Sequence, residues 1–481
     1  MTSARHRQQH TAEGALSVAS LGTLLSLVVF TTPLSTLNTT ASALGAGVSG
    51  RTWILSSMSI GLGAALLSTG TLADDFGRRR TFVAGMVVLA AGSVSCGLVS
   101  GVEVFVLARI VQGLGAAAVI ASSLGIIAHT FPPGPARARA GGMWGASVGA
   151  GIALGPLLSS VLASVMSWRD AYWVAAIAAI LVAAAARRLL EESRADEKRG
   201  VDPWGALLLG AGVSCLLVAL VDGRNGWTQP PVLALGGATV VLLGTYVAVE
   251  ATTSSPMLDL SLVRHPAFVA ATAAAFANGA GVIAVLSYMS GFLGAALGVS
   301  PVSSALLLLA WSATSVVAAL SVRRLPARIS GRALLAIGLL GVAAGQLLLT
   351  GVSAGSGWTR FLPGLLLAGV FSGVLNAALA REAVASVPPG RGGMGSGANN
   401  TARYVGSAIG VSVVAVIAAR PGPASPTADL VAGWNTAVIV SAAVSVAGAL
   451  VVLVARPRTR VDTKAASVPS ARQVPAGSAG A

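Results

Sequence analysis

The chain has 481 residues, 54% of them hydrophobic and only 10% charged, with a mean hydropathy of +0.81. A soluble domain carries about 25% charged residues, so the composition excludes an ordinary water-soluble fold and implies an integral membrane protein. The formal net charge of +15 would point to nucleic acid in a soluble protein, but here the basic residues flank long apolar runs and read as an orientation signal.

Counting apolar runs of about 20 residues as membrane spans gives about fourteen. They lie near 15–37, 52–73, 81–100, 104–128, 141–163, 171–186, 204–221, 232–249, 267–290, 302–322, 333–352, 361–380, 395–419 and 434–455. The predicted fold is therefore all-α, with fourteen transmembrane helices. The N-terminal tail (1–14) carries Arg5, His6 and Arg7, but the run behind it is too long for a signal-peptide core and thirteen more follow, so cleavage is not expected. With that tail inside, most of the 31 basic residues fall on cytoplasmic loops and tails, and Arg51, Arg169, Arg224, Arg360 and Arg420 fall outside. Both termini are then cytoplasmic. Alanine and glycine dominate the spans, and small residues let membrane helices approach closely. Cys96 and Cys215 sit in apolar spans and read as small hydrophobes.

Four stretches break the apolar pattern. Between the second and third spans runs Gly70-Thr71-Leu72-Ala73-Asp74-Asp75-Phe76-Gly77-Arg78-Arg79-Arg80. Gly70 and Asp74 are one turn apart, so a neighbouring helix can sit close to the carboxylate, which can pair with Arg78 or accept from a helix N-terminus. A topogenic loop alone would explain the arginines but not the Gly/Asp/Gly spacing. In the fourth span, Arg109 stands inside an apolar helix with Gln112 three residues on, and a bare intramembrane arginine is costly and marks a functional position. The alternative is an arginine that snorkels to the nearby surface marked by Glu103. In the fifth span, Gly151-x-x-x-Gly155-Pro156 makes a groove for close packing and a bend. The thirteenth span carries Asn399, Asn400 and Arg403, a polar face expected to line a cavity, with Asn38, Asn278, Tyr288 and Asn376 as weaker cavity candidates.

The chain also echoes itself. Arg139-Ala140-Gly141-Gly142-Met143 returns about 252 residues later as Arg391-Gly392-Gly393-Met394, each opening a glycine-rich span. The charged loop has a damaged copy at Leu325–Arg332, with Ala327 where Asp74 stands. Two homologous six-helix halves, 15–186 and 267–455, are expected. They are joined through the loop 187–203, two extra helices at 204–249 and the loop 250–266, and followed by a tail at 456–481 too poor in apolar residues to fold.

The wording G-x-L-A-D-x-x-G-R-R-R at Gly70–Arg80 resembles the loop between the second and third helices of the major facilitator superfamily. The fourteen-span plan with a central pair resembles its drug:proton antiporter branch. That resemblance implies transport by alternating access. It makes Gly70, Asp74, Gly77 and Arg78 a cytoplasmic gate, Arg109 and Gln112 a proton-coupling pair, and Gly151, Gly155 and Pro156 the helix that marks antiporters. Asp75 departs from the pattern, where a basic residue is common, and Ser159-Ser160 stand where Gly-Gly is frequent. Composition and span count also resemble the self-resistance exporters of antibiotic-producing actinomycetes, one of which exports the β-lactam cephamycin. The implied partners are a small-molecule drug or antibiotic, protons and the lipid bilayer of a bacterial plasma membrane. Nucleic acid is not among them, and a monomer is expected. A uniporter or importer of the same fold is the alternative.

One expected feature is missing. Antiporters of this branch usually carry an aspartate in the first helix, whereas the matching stretch here, Val28–Leu34, has no acid. The 16 acids all fall in loops, tails or near helix ends, and an arginine cannot load and unload a proton. Asp222 and Glu382 are the candidates for a proton carrier. Four histidines, two cysteines and no clustered intramembrane acids give no metal, cofactor or catalytic constellation, so neither an enzyme nor a cofactor is expected. The absence of G-x-x-x-x-G-K-[ST] excludes an ATP-driven pump.

Overall fold

A computed structural model describes residues 2–195, 202–223, 226–253, 256, 258–324, 329–418 and 425–455. Every regular element among them is helical, as a chain in lipid requires when backbone polar groups have no water to bind. In chain order the helices are α1 (Thr2–Thr31), α2 (Pro33–Ala43), α3 (Val48–Phe76), α4 (Arg78–Leu98), α5 (Val102–Thr130), α6 (Pro135–Val165), α7 (Asp170–Leu189), α8 (Pro203–Asp222) and α9 (Pro230–Thr252). Then come α10 (Pro266–Ala277), a π-helical segment at Asn278–Ile283, α11 (Ala284–Leu297), α12 (Pro301–Ser321), α13 (Gly331–Leu347), α14 (Leu362–Ala385), α15 (Gly392–Ala418) and α16 (Pro426–Val454). Thirteen helical stretches are long and apolar enough to cross a membrane, and the shorter apolar α13 supplies a fourteenth.

The starts of these helices follow local chemistry. Proline opens α6, α8, α9, α10, α12 and α16, where a missing N–H costs nothing. Asp202, Ser300, Ser330 and Ser425 cap α8, α12, α13 and α16 by accepting from a backbone N–H three residues on. Two spans that read as continuous in the sequence are broken. The first kinks where Pro33 has no N–H for the Val29 carbonyl, dividing α1 from α2. The ninth loosens through the π-helical segment, whose Gly281 carbonyl accepts from Gln346 Nε2 at 2.9 Å.

The packing repeats. In the first half α1 lies on α5 and α6, α3 on α5, and α4 on α5 and α7; in the second, α10 lies on α14 and, with the π segment, on α15, α12 on α14, and α13 on α14 and α16. Each pairing has its counterpart at the same position in the other half. Across the halves α3 packs on α15 and α6 on α12, a reciprocal exchange of second and fifth helices. The extra pair forms a hairpin, α8 against α9, with α8 resting on α3 and α15. Outward-facing Val240 and Val241 on α9 are largely exposed, as lipid contact demands. Residues 325–328, which hold half of the damaged loop copy including Ala327, the inter-half residues 196–201 and the tail at 456–481 lie outside the described residues.

Glycine sets the helix spacing. A Cβ on Gly113 of α5 would meet Gly61 Cα and Leu62 N of α3 at 2.9 Å as well as the Met58 carbonyl, whereas one on Gly236 of α9 meets nothing. Gly113→Val should therefore lower the thermal stability of the purified protein, at a cost on the order of 1–3 kcal/mol, and Gly236→Val should leave it unchanged. Equal melting temperatures for the two variants in detergent would contradict this account of the α3–α5 seam.

Candidate functional site

The bundle is tied shut at the end that carries Asp74. This carboxylate is fully buried. Its Oδ1 accepts from Arg78 Nε and Nη2 at 3.0 and 2.9 Å and from Gly393 N at 3.1 Å, and its Oδ2 accepts from Met394 N at 2.9 Å. The last two donors are the free N–H groups of the first turn of α15, where a helix N-terminus favours an anion. One side chain of the first half thus caps a helix of the second. Gly70 makes the approach possible, because a Cβ there would strike the Gly393 carbonyl. Arg78 Nη2 crosses in the same direction to the Gly390 carbonyl at 2.6 Å, and Arg391 Nη1 returns to Asp75 Oδ1 at 2.7 Å.

A strap after α7 completes the closure. Arg78 N donates to the Ser193 carbonyl at 2.8 Å, Ala195 N to the Asp74 carbonyl at 2.7 Å, and Arg79 N to Glu192 Oε1 at 3.1 Å. Glu192 also faces the guanidinium groups of Arg79 and Arg80 at 3.7 and 3.5 Å. Gly77 turns the chain between α3 and α4 at φ +128°, and a Cβ there would collide with Glu192.

Arg109 lies in the interior with no exposed surface, so it does not snorkel. Its Nη1 donates to the Val29 carbonyl and to Gln112 Oε1, both at 2.8 Å, and its Nη2 to the Phe30 carbonyl at 3.1 Å. Gln112 Nε2 in turn donates to Ser93 Oγ at 2.8 Å. The Val29 carbonyl is the one Pro33 leaves without a helical partner, so the arginine of α5 satisfies the break in α1. On α6 a Cβ at Gly151 would meet the Leu24 carbonyl at 2.6 Å, and one at Gly155 the Val28 carbonyl at 2.6 Å. The glycine groove therefore receives α1 just before its kink. Ser159 donates to the Thr32 carbonyl at 2.9 Å. Pro156 leaves the Ile152 carbonyl without its helical donor.

A cavity of about 250 Å³ lies between the halves. Its walls come from α1 (Leu27, Phe30, Thr31), α3 (Leu55, Ser56, Ser59, Ile60), α6 (Val148, Ile152), the π segment and α11 (Asn278, Val282, Leu286, Ser287, Tyr288), α12 (Leu308, Trp311), α14 (Asn376) and α15 (Arg403, Tyr404, Ser407). The extra helix α8 adds Leu217 and Val221. Along α3 the cavity edge at Ile60 stands roughly 15 Å from Gly70, at 1.5 Å per residue. Phe30 and Tyr404 meet edge to face across the halves, 5.7 Å between centroids.

Of the seven cavity candidates, Asn278, Tyr288, Asn376 and Arg403 line the space, and Asn278 Nδ2 faces Asn376 Oδ1 at 3.5 Å. Three do not. Asn38 is exposed on α2. Asn399 donates to the Ala271 carbonyl of α10 at 2.9 Å, and Asn400 to the Ser396 carbonyl one turn back at 3.0 Å. The helical face was the right one, but these two stand a turn closer to the Asp74 end, where they serve packing. Neither proton-carrier candidate reaches the cavity: Asp222 ends α8, and Glu382 pairs with Arg381 at 3.0 Å beside Gly331. Glu250, another acid near the membrane, accepts from Tyr246 at 3.0 Å and from Leu258 N at 2.8 Å. Sequence reasoning did not single out Trp311, Thr31 or the cavity serines, nor Glu192 and Ser193 of the strap. Isolated hydroxyls in apolar helices and one acid in a charge-rich loop carry no spacing signal.

With this geometry in place, the comparisons agree on a family. The model of the Major Facilitator Superfamily matches residues 19–411, and again 272–477. The chain is 32% identical over 374 residues to the multidrug resistance protein Stp of Mycobacterium tuberculosis, covering 78% of this chain and 70% of that one. It is 28% identical over 446 residues to the puromycin resistance protein pur8 of Streptomyces alboniger, covering 89% of each. Its fold is similar to the solved proton:xylose symporter XylE, with a TM-score of 0.68 at 16% identity over 92% of this chain and 95% of that one. The two sequence relatives are named as resistance proteins, and the fold agrees: this multi-pass membrane chain belongs to the Major Facilitator Superfamily.

Proposed function

We propose that the chain is a secondary active exporter of a drug or antibiotic that works by alternating access. The observation that carries the reading is the cavity between the halves, walled by both of them and separated from a tied Asp74 end. The arginines gathered at that end, Arg78, Arg79, Arg80, Arg137, Arg139, Arg187 and Arg188, make it the cytoplasmic face under the positive-inside rule, with both termini in the cytoplasm of a bacterial cell. The structure then corresponds to a state shut toward the cytoplasm. The moving bodies are 15–186 and 267–455, acting as a monomer. Gly70, Asp74, Gly77 and Arg78 form the gate, together with Asp75, Arg391 and the Glu192 strap. The resistance relatives and the Gly151–Pro156 helix favour export, and a β-lactam such as cephamycin belongs in any panel of solutes tried.

Coupling to proton entry is the reading that family membership favours, with Arg109 and Gln112 as its positioning pair at the broken first helix. A second reading, uniport, is favoured by one observation: no aspartate or glutamate is among the residues lining the cavity. Proton movement in inverted vesicles separates the two. Solute-dependent alkalinisation of the acidified lumen is expected for antiport, and its absence during active transport selects uniport.

A host lacking its own efflux pumps and expressing the chain should tolerate several-fold higher concentrations of at least one antibiotic. A broad panel without any raised tolerance would remove the exporter reading. Asp74→Asn should leave membrane insertion intact while lowering transport at least about tenfold. It strips Arg78 of its carboxylate in a buried place, where a broken pair costs roughly 3–5 kcal/mol. Wild-type transport by that variant would refute the gate. Arg109→Lys should also lose transport, because one ammonium cannot reach two carbonyls and Gln112 as the guanidinium fork does; normal rates at normal expression would argue against its positioning role.

A further inference from the structure

Among the described residues four arginines are buried: Arg78, Arg109, Arg391 and Arg403. Three are answered inside the protein. Asp74 pairs with Arg78 at 2.9 Å, Asp75 with Arg391 at 2.7 Å, and two carbonyls with Gln112 surround Arg109. Arg403 is different. It is 3% exposed, its Nε, like that of Arg109, has no hydrogen-bond partner, and neither a carboxylate nor, as for Arg109, a pair of backbone carbonyls answers its charge among the described residues. Its guanidinium leans over the ring of Tyr404, with Cζ 5.3 Å from the centroid, an attraction that offsets part of the cost of desolvation. An arginine cannot shed its charge to escape that cost.

Arg403 is also the one charged residue among those lining the cavity. A second donor there is unfilled, since the indole N–H of Trp311, 2% exposed, has no partner either. The remaining lining is apolar, amide or hydroxyl. The cavity thus offers a fixed positive charge and a spare N–H set among greasy walls, with no acid to balance them. In such a low-dielectric space a cation is repelled and an oxyanion is held by short, charge-assisted hydrogen bonds.

We propose that this cavity takes an anionic amphipathic solute, whose carboxylate or sulfonate group pairs with Arg403 while its apolar body lies against Phe30, Ile152 and Leu286. The inference rests on the exporter reading only in taking the cavity as the transported solute's site. Asn278 and Asn376, facing each other beside the π segment, supply neutral polar contacts that fix orientation.

The test measures binding rather than export. The purified full chain, in nanodiscs of uncharged phosphatidylcholine, is titrated by fluorescence anisotropy with fluorescein and with a cationic rhodamine ester of the same xanthene size. Wild-type protein is expected to bind fluorescein at least tenfold more tightly, with Arg403→Gln erasing that preference and Arg403→Lys keeping part of it. Equal or tighter binding of the cation by the wild type would overturn the proposal, as would unchanged fluorescein affinity in a Gln variant with a normal melting curve. Should the Gln variant fail to fold, the wild-type preference and the Lys variant decide alone. A preference for the anion retained in part by lysine supports the site, and no preference refutes it. If the anion binds as expected while no antibiotic tolerance appears in cells, the exporter reading falls and the anion site stands.

Discussion

The closed end of the bundle depends on one carboxylate that serves both halves at once. Asp74 takes two donors from Arg78 in its own half and two backbone N–H groups from the first turn of α15 in the other. Buried as it is, it is stable there only while both sets are present, since a desolvated charge that loses a partner is costly. The second cross-half pair, Asp75 with Arg391, is equally enclosed. Opening this end must therefore expose or re-pair two carboxylates and two arginines together. If the end is the proposed gate, the closure would be a two-state element rather than a continuously adjustable contact.

The same accounting of polar groups explains why the helices break where they do. A span without breaks has no spare backbone acceptors, and lipid supplies no water to satisfy any that appear. Pro33, the π segment and Pro156 each release or displace carbonyls, and each break lies at or near the cavity. Arg109 takes the Val29 and Phe30 carbonyls, Ser159 takes that of Thr32, and Gln346 takes that of Gly281. Arg109, which looks expensive in an apolar sequence, is thus the partner of a backbone group that a bend left unpaired. Ser159 likewise answers a carbonyl at the kink, that of Thr32.

How much of this was legible in the sequence follows from what kind of signal each feature leaves. Span count, the Gly70–Arg80 cluster and the internal repeat were readable because length, charge and spacing are properties of one stretch of chain. Arg109 and Gln112 were readable as a pair because three residues on a helix share a face. The carbonyls that Arg109 answers were not, since Val29 and Phe30 are remote in sequence and backbone leaves no compositional trace. Asn399 and Asn400 show the limit of periodicity: it gave their face on α15 but not their depth, and one turn separates a cavity wall from the packing beneath it. Asp75 shows a related limit. As a departure from a familiar pattern it promised only altered pairing, and its partner Arg391 stands in the other half, some 316 residues away.

The charge of the cavity bears on how such a carrier could be driven. With no acid in its lining and a permanent cation at Arg403, the empty site carries a positive charge, and a site loaded with a monoanion is neutral. The loaded carrier then crosses without electrical work, whereas the empty one returns its positive charge toward a negative interior. Each such return gains about 2.3 kcal/mol per 100 mV of membrane potential. The electrical part of a proton gradient would then act on the return step, and no residue in the cavity need bind a proton. An anionic cargo therefore accounts for two features that a cationic one leaves without a cause: the missing acid in the first helix, and the cavity arginine to which no carboxylate has been supplied.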